Sequence, residues 1–319
     1  MTRLDQRRGS CAVRDRSALL RGRRFISAGV VIALAACAGV PLVRTPPSPG
    51  QAADELIGVD RMYSEAAAKT TLVPGLSAMF ADDVFLPTTG ESGRDKAIAS
   101  LVRDTLNARS TTSWIPIRVG VSADGTHGFT YGYMTTVRAD GSQVPMKYLA
   151  YWVRGAAGWK VLAYRRTRRP PGVVSTARLP PILPDAIAPV DTDSGRIRIH
   201  EASLVAAESD FSQDAQRVGL RAAFTSHGSA DAMNIGGPTD TTFVIGAANI
   251  GVGMGPATTS PVSWSATRVI VATSGDLGLS IGAIRSNAAS ANGAANPPIN
   301  FFTVWRRRSV REAWRYIAE

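Results

Sequence analysis

The chain has 319 residues, 45% of them hydrophobic and 19% charged, with a formal net charge of +11. That composition excludes a disordered chain, and the length leaves room for two domains that each bury a core. The charge would suit a nucleic-acid binder, but residues 1–36 hold eight arginines against two aspartates, a net of +6, which leaves +5 for the remainder. Arginine also outnumbers lysine 32 to 4, which reads as a GC-rich coding sequence more than a phosphate-binding face, so no nucleic-acid partner is expected.

Residues 1–36 read as an export signal. Arg21, Arg23 and Arg24 precede an apolar run from Phe25 to Ala36. A run of about 12 residues is too short to cross a bilayer as a helix but suits the apolar core of a signal peptide. It ends in Leu34-Ala35-Ala36-Cys37, which resembles the lipobox of bacterial lipoproteins, where the Cys sulfur receives a diacylglycerol. A signal cut elsewhere and a plain N-terminal anchor are the other readings. The stretch ahead of the run is long: either the start lies downstream of Met1, or Arg23 to Ile26 belongs to a degenerate twin-arginine signal. The expectation is membrane attachment in the cell envelope through lipidated Cys37. Ala38 does not match the aspartate signal for inner-membrane retention, which favours the periplasmic face of the outer membrane if the cell is Gram-negative. The other cysteine is Cys11, so beyond Cys37 there is no thiol for a disulfide, a nucleophile or a metal. His127, His200 and His227 are scattered, and neither a metal nor a cofactor is expected.

Residues 37–50 read as a proline-rich tether. Two globular segments, 51–168 and 196–319, flank a linker, 169–195, with six prolines between Pro170 and Pro189. Proline at that density stiffens extended backbone and excludes helix. In the first segment Leu56, Val59, Tyr63 and Ala66 recur at helical spacing. Pro74 starts a second short helix, and Ser92 caps a third through Ala97, Ile98, Leu101 and Val102. From Trp114 the apolar period changes to two. Asp124-Gly125 and Asp140-Gly141 are hairpin signals, and Gly155 to Gly158 marks a third turn. They predict a four-stranded antiparallel meander over about 115–123, 127–138, 143–154 and 158–166. The second segment repeats it over about 264–273, 277–286, 299–306 and 311–318, with one hairpin loop swollen from Ser286 to Gly293.

The two segments read as tandem copies. All six tryptophans fall into three pairs, Trp114 with Trp264, Trp152 with Trp305 and Trp159 with Trp314. Ser113 to Val121 aligns without a gap on Ser263 to Val271, and Gly125, Gly128 and Gly132 then meet Gly275, Gly278 and Gly282. Helices first and strands afterwards is the order of an α+β domain.

Three further motifs occur in the first copy: Phe-Ala-Asp-Asp-Val-Phe at Phe80 to Phe85, Gly93-Arg94-Asp95-Lys96-Ala97-Ile98, and Gly158-Trp159-Lys160 after Trp152-Val153. With these the first copy resembles the NTF2-like superfamily over nearly its whole length, nearest its SnoaL-like and domain-of-unknown-function-4440 (DUF4440) group. The second copy is more divergent, with Ala313-Trp314 in place of Gly-Trp. The resemblance implies two NTF2-like cone-shaped domains, each with N-terminal helices and a curved antiparallel sheet around a pocket. In that superfamily the pocket serves isomerases, dehydratases, cyclases, binders and dimer interfaces, so fold does not give function.

Asp60 and Tyr63 share a helix face at spacing i, i+3, and His127, Phe129, Tyr131 and Tyr133 alternate onto one face of a strand. Asp82 and Asp83 follow the second helix. A carboxylate, a phenol and an imidazole around an apolar cavity could move a proton beside a carbonyl, so Asp60, Tyr63 and His127 are the catalytic candidates. Asp60, Tyr63, Asp83, Tyr131 and Tyr133 are the expected ligand-pocket residues. Plain packing explains each tyrosine equally well. Six of the seven tyrosines lie in the first copy, and the second has Phe211, Ile281 and Ala283 at the positions of Tyr63, Tyr131 and Tyr133. The expectation is that the first copy keeps the pocket and the second is a packing partner, the two forming a pseudo-dimer. Two basic runs, Arg165 to Arg169 and Arg306 to Arg308 with Arg311, read as solvated ends or as contacts for anionic lipid. The function expected is binding of a small apolar molecule or an envelope protein without chemistry. The alternative is a pocket enzyme of the isomerase, dehydratase or hydrolase type using Asp60, Tyr63 and Tyr131.

Overall fold

The computed structural model describes residues 47–288 and 296–319. The export signal, Cys37, most of the tether and residues 289–293 of the swollen loop lie outside them. Residues Thr45–Glu319 form one compact unit. Among the described residues no helix is long and apolar enough to cross a membrane.

Helix α1 (Pro49–Ala67) begins inside the expected tether. Ser48 accepts a hydrogen bond from the Gln51 amide at 3.2 Å, the Gln51 side chain accepts one from the Ser48 amide, and proline occupies the first helical position. The buried stripe runs through Ala53, Leu56, Ile57, Asp60, Ser64 and Ala67; Ala66 is exposed, so the stripe lies one residue off the expected one. Helix α2 (Leu72–Ser77) holds Pro74 inside its first turn. The segment Phe80–Phe85, expected only as a helix end, is strand β1. Helix α3 (Arg94–Arg103) starts after Gly93 rather than on a Ser92 cap, because Ser92 bridges to Phe85. Strands β2 (Thr111–Val121), β3 (His127–Val137), β4 (Gln143–Gly155) and β5 (Gly158–Arg168) form the expected meander, and β1 pairs parallel with β5. The sheet order is β1-β5-β4-β3-β2.

The second half repeats this order. It comprises α4 (Ser194–Val218), α5 (Leu220–His227), β6 (Gly228–Asn234), β7 (Val244–Ile245) and α6 (Ala247–Gly253). Strands β8 (Val262–Val271), β9 (Leu277–Ser286), β10 (Ile299–Arg306) and β11 (Arg315–Ala318) complete a sheet of order β7-β6-β11-β10-β9-β8, with β6 parallel to β11. The protein is α+β, with two curved sheets, each carrying its helices on one face.

The curvature has a local cause in each half. Ile117 is an extra residue in β2, between Pro116 opposite Gly132 and Arg118 opposite Tyr131. Thr267 is the same extra residue in β8, between Ala266 opposite Gly282 and Arg268 opposite Ile281. A bulge bends the strand that carries it and increases its twist. The backbone closes so tightly here that a Cβ on Gly132 would lie 2.0 Å from the Ile115 carbonyl oxygen, and one on Gly282 2.2 Å from that of Ser265. The matched glycines in the sequence therefore mark matched bends.

Three apolar layers result. Leu56, Leu76, Trp114, Tyr148 and Trp152 pack between the first sheet and its helices, and Leu204, Phe211, Trp305 and Tyr316 do the same in the second half. Between the sheets lie Phe129, Tyr131, Tyr151, Ile235, Phe243, Leu279 and Phe302. Reciprocal ion pairs rim this layer: Arg118 of β2 meets Asp231 of β6 at 3.0 Å, and Arg268 of β8 meets Asp83 of β1 at 2.5 Å. The two bulged-hairpin turns also exchange bonds. Asp124 accepts from the Thr273 hydroxyl and the Ser274 amide, and Asp276 accepts from the Ala123 amide at 3.0 Å. The proline-rich linker runs along the β2 edge, where Leu179 and Ile182 donate to the carbonyls of Ile117 and Val119 at 2.7 and 2.9 Å. It covers an edge that would otherwise offer unpaired backbone groups.

Gly132→Ala and Gly282→Ala should each lower stability by about 1–3 kcal/mol or more, since the added methyl meets backbone rather than a side chain that can rotate away. Thermal unfolding of the two variants beside Gly155→Ala, where an added methyl meets nothing within 4 Å, measures this.

Candidate functional site

Each half buries one carboxylate on its first helix. Asp60 of α1 is fully buried. Its Oδ1 accepts from the Trp114 indole at 2.6 Å and its Oδ2 from the Tyr148 hydroxyl at 2.7 Å. One turn on, Ser64 accepts from the Trp114 amide and donates to its carbonyl, so helix and strand are joined at two levels. Glu208 of α4 is held the same way. Its Oε1 accepts from the Trp264 indole at 2.7 Å, and its Oε2 accepts from the Ser280 hydroxyl and the Trp305 indole. Ser212 then accepts from the Trp264 amide at 3.0 Å. Burial raises the pKa of both carboxyls, and the donated hydrogen bonds pull each part of the way back. Nothing in sequence periodicity alone flagged Glu208; its offset from Asp60, equal to that of Phe211 from Tyr63, is the signal that could have found it.

Around these carboxylates the halves differ. In the first, Tyr148 stacks on Tyr164 with ring centroids 6.4 Å apart, and Tyr63 stacks on Trp152 at 6.1 Å. Together with Trp114 these rings fill the space between helices and sheet. In the second half the sheet position of Tyr148, opposite Gly132, belongs to Phe301, opposite Gly282. The position of Tyr164, one past Ala163, belongs to Glu319, one past Ala318. The phenol rings are gone, and a cavity of about 240 Å³ opens among Phe211, Phe224, Trp264 and Phe301. Five polar residues reach its wall: Glu208, Asn234, Thr303, Glu319 and, from the first half, Arg165. Glu319 accepts from the Asn234 side chain at 2.7 Å, and burial pushes its carboxyl up to about 7.

The expected pocket residues are not brought together. Asp60, on α1, meets the helix-covered face of the sheet, whereas Tyr131 and Tyr133 share the opposite face and pack on Phe243 of the second half at 4.9 and 5.2 Å. The alternation along β3 holds, but the face it defines meets the other sheet. Tyr63 stays near Asp60, its hydroxyl accepting from Lys160 at 2.8 Å. Asp83 is an exposed partner of Arg268. His127 hydrogen-bonds the Tyr151 hydroxyl at 2.8 Å in the turn cluster between the halves, and burial pushes its pKa down to about 4. His227 ends α5 and pairs with Asp214 at 2.8 Å. The expected pocket beside Asp60 is not open: Tyr63, Tyr148 and Tyr164 fill that space. Of the basic runs, Arg307 is not solvated; it is buried, donates to the Gly275 carbonyl at 2.6 Å and stacks on Trp314.

Each half sets its helices against a curved sheet whose last strand pairs parallel with its first, the arrangement that the resemblance to the NTF2-like superfamily implies. Among solved structures the chain is similar to a ketosteroid isomerase-like protein from Erwinia carotovora atroseptica SCRI1043, at 18% identity and a TM-score of 0.30, over 37% of this chain and 96% of that one. It is similar to an NTF2-like protein with a cystatin-like fold from Novosphingobium aromaticivorans, at 19% identity and a TM-score of 0.28, over 35% of this chain and 79% of that one. A domain of unknown function with a cystatin-like fold from Nostoc punctiforme matches at 15% identity and a TM-score of 0.31, over 38% of this chain and 79% of that one. These likenesses are of fold alone. No family model and no curated protein matches the sequence.

Two outcomes follow from the site. Asp60→Asn and Glu208→Gln each turn an accepting oxygen into a donor that faces an indole or hydroxyl donor, and urea denaturation should show a loss of about 1–3 kcal/mol for each. His127 binds its proton at about 4 when folded and near the ordinary 6.5 when unfolded, so unfolding takes up a proton between those values and stability falls as the pH drops through that window. His127→Gln should flatten the change in urea midpoint between those two pH values relative to the unaltered protein.

Proposed function

We propose that this protein is an envelope lipoprotein whose second half binds a small, largely apolar molecule in the cavity beside Glu208, without chemistry of its own. The observation that carries the reading is the cavity itself: an apolar, aromatic-lined space with a few polar groups converging on one wall, the usual form of a ligand site. The Leu34-Ala35-Ala36-Cys37 sequence supports attachment through a lipid on Cys37, in the periplasm at the outer membrane if the cell is Gram-negative. The two halves descend from a tandem duplication and act as a pseudo-dimer. Support comes from the repeated order of elements, the matched bulges and the reciprocal ion pairs of Arg118 with Asp231 and Arg268 with Asp83. The first half serves as the fixed partner against which the second is built.

A pocket enzyme using Asp60, Tyr63 and Tyr131 is not the reading the geometry favours. Asp60 is enclosed by its donors, and Tyr131 lies on the other face of the sheet.

The neutral dye N-phenyl-1-naphthylamine tests the site. Its fluorescence should rise saturably with one molecule bound per chain. Ile284→Trp, which fills the cavity from β9, should abolish binding, and Tyr63→Phe and Tyr131→Phe should leave it unchanged. Binding that survives Ile284→Trp, or that disappears with Tyr63→Phe, would contradict the reading.

A further inference from the structure

Among the described residues the cavity has one charged wall residue without a hydrogen bond, and it comes from the other half of the molecule. Glu208 is satisfied by three donors and Glu319 by Asn234. Arg165 lies near the end of β5, half-buried, on the face that meets the second sheet. Among the described residues it makes no hydrogen bond and no ion pair closer than 4 Å, although it lines the cavity. A planar donor fork with no hydrogen-bond partner of its own is matched by an oxyanion. Burial lowers its pKa, and the nearby Glu319 carboxylate raises it part of the way back without a direct ion pair.

Arg165 also lines a second space, a groove of about 610 Å³ at the mouth of the first half with mixed apolar and basic walls, Arg103, Arg166 and Arg168 among them. Arg166 is engaged by Asn107 at 2.6 Å and by Asp104 at 3.7 Å. Arg103 and Arg168 are exposed and make no ion pair among the described residues. The guanidinium of Arg165 thus stands where an apolar cavity meets a positively charged groove.

We infer that the molecule bound in the second half's cavity is an organic anion, its apolar body among Phe211, Phe224, Trp264 and Phe301 and its carboxylate, sulfonate or phosphate monoester on Arg165. The inference rests on the proposed binding role of the same cavity. It makes the first half part of the site: the second half supplies the apolar walls and the first supplies the charge. It also gives the basic run Arg165 to Arg169 a specific task at its first residue.

Two dyes with the same ring system separate this inference from the reading it rests on. 8-Anilinonaphthalene-1-sulfonate carries a sulfonate that N-phenyl-1-naphthylamine lacks. The purified protein should bind the sulfonate at least about tenfold more tightly, a difference of about 1.4 kcal/mol. Arg165→Gln should remove that preference while leaving the neutral dye's affinity unchanged, which also reports that the cavity is intact. Arg165→Lys should restore part of it, and Ile284→Trp should abolish both dyes. Equal affinity for the two dyes, or an equal loss of both in Arg165→Gln, would overturn the anion anchor and leave the cavity reading standing. Failure of both dyes to bind the unaltered protein would overturn both, and binding of the neutral dye alone would overturn only the anion anchor. Stronger displacement of the sulfonate dye by 2-naphthoate than by dodecanoate would assign the anion to the soluble aromatic acids, and the reverse order to membrane-derived acyl chains.

Discussion

A carboxylate inside an apolar cone must be met by donors from every side or it will not stay there as a charge. Asp60 and Glu208 are both met in this way, and the donors are side chains that the sheets would have to place in any case: Trp114 and Tyr148 in one half, Trp264, Trp305 and Ser280 in the other. The bond from helix to indole sets the helix rotation, and the serine one turn later sets its height over the strand. Much of the rest depends on it. The helix can lie across the sheet only because the bulges at Ile117 and Thr267 curve the strands toward it.

Given that shared frame, a few side chains decide whether a half is solid or hollow. Tyr148 supplies both a donor to Asp60 and a ring that fills the cone, and Tyr164 stacks on it. Phe301 at the first position has no hydroxyl to give, and its carboxylate is served by Ser280 and Trp305 instead. Glu319 at the second position is smaller than a tyrosine and polar. Space opens where the phenols were, and a carboxyl whose pKa is pushed up to about 7 stands at its edge. The sheet-to-sheet layer then lets one half lend a residue to the other, since Arg165 reaches the second half's cavity from the first half's last strand.

Much of the fold was legible in the sequence, because strand alternation, Asp-Gly turns and paired tryptophans are local signals. All eight strands of the two meanders were placed to within a few residues. Strand β1 was not recognised, because Asp82 and Asp83 interrupt its apolar character and its pairing partner lies some eighty residues away at Val161. The expected pocket residues do not converge for a related reason. Tyrosines at strand positions gave the face correctly but not what the face would meet. Whether Tyr131 looks into a cone or onto Phe243 is settled by how two sheets stack, which no periodicity within one strand records. Glu208 and Glu319 were passed over because an isolated glutamate in a helix or at a strand end reads as solvated.

The central claim is that the space beside the buried first-helix carboxylate is filled in the half with six tyrosines and open in the half with one. Xenon enters apolar cavities without needing a polar partner, so diffraction from crystals pressurised with xenon tests the claim without any assumption about the ligand. The account predicts a xenon peak in the second half between Phe211, Trp264 and Phe301. A peak beside Tyr63 and Tyr148 in the first half, with none in the second, would contradict it.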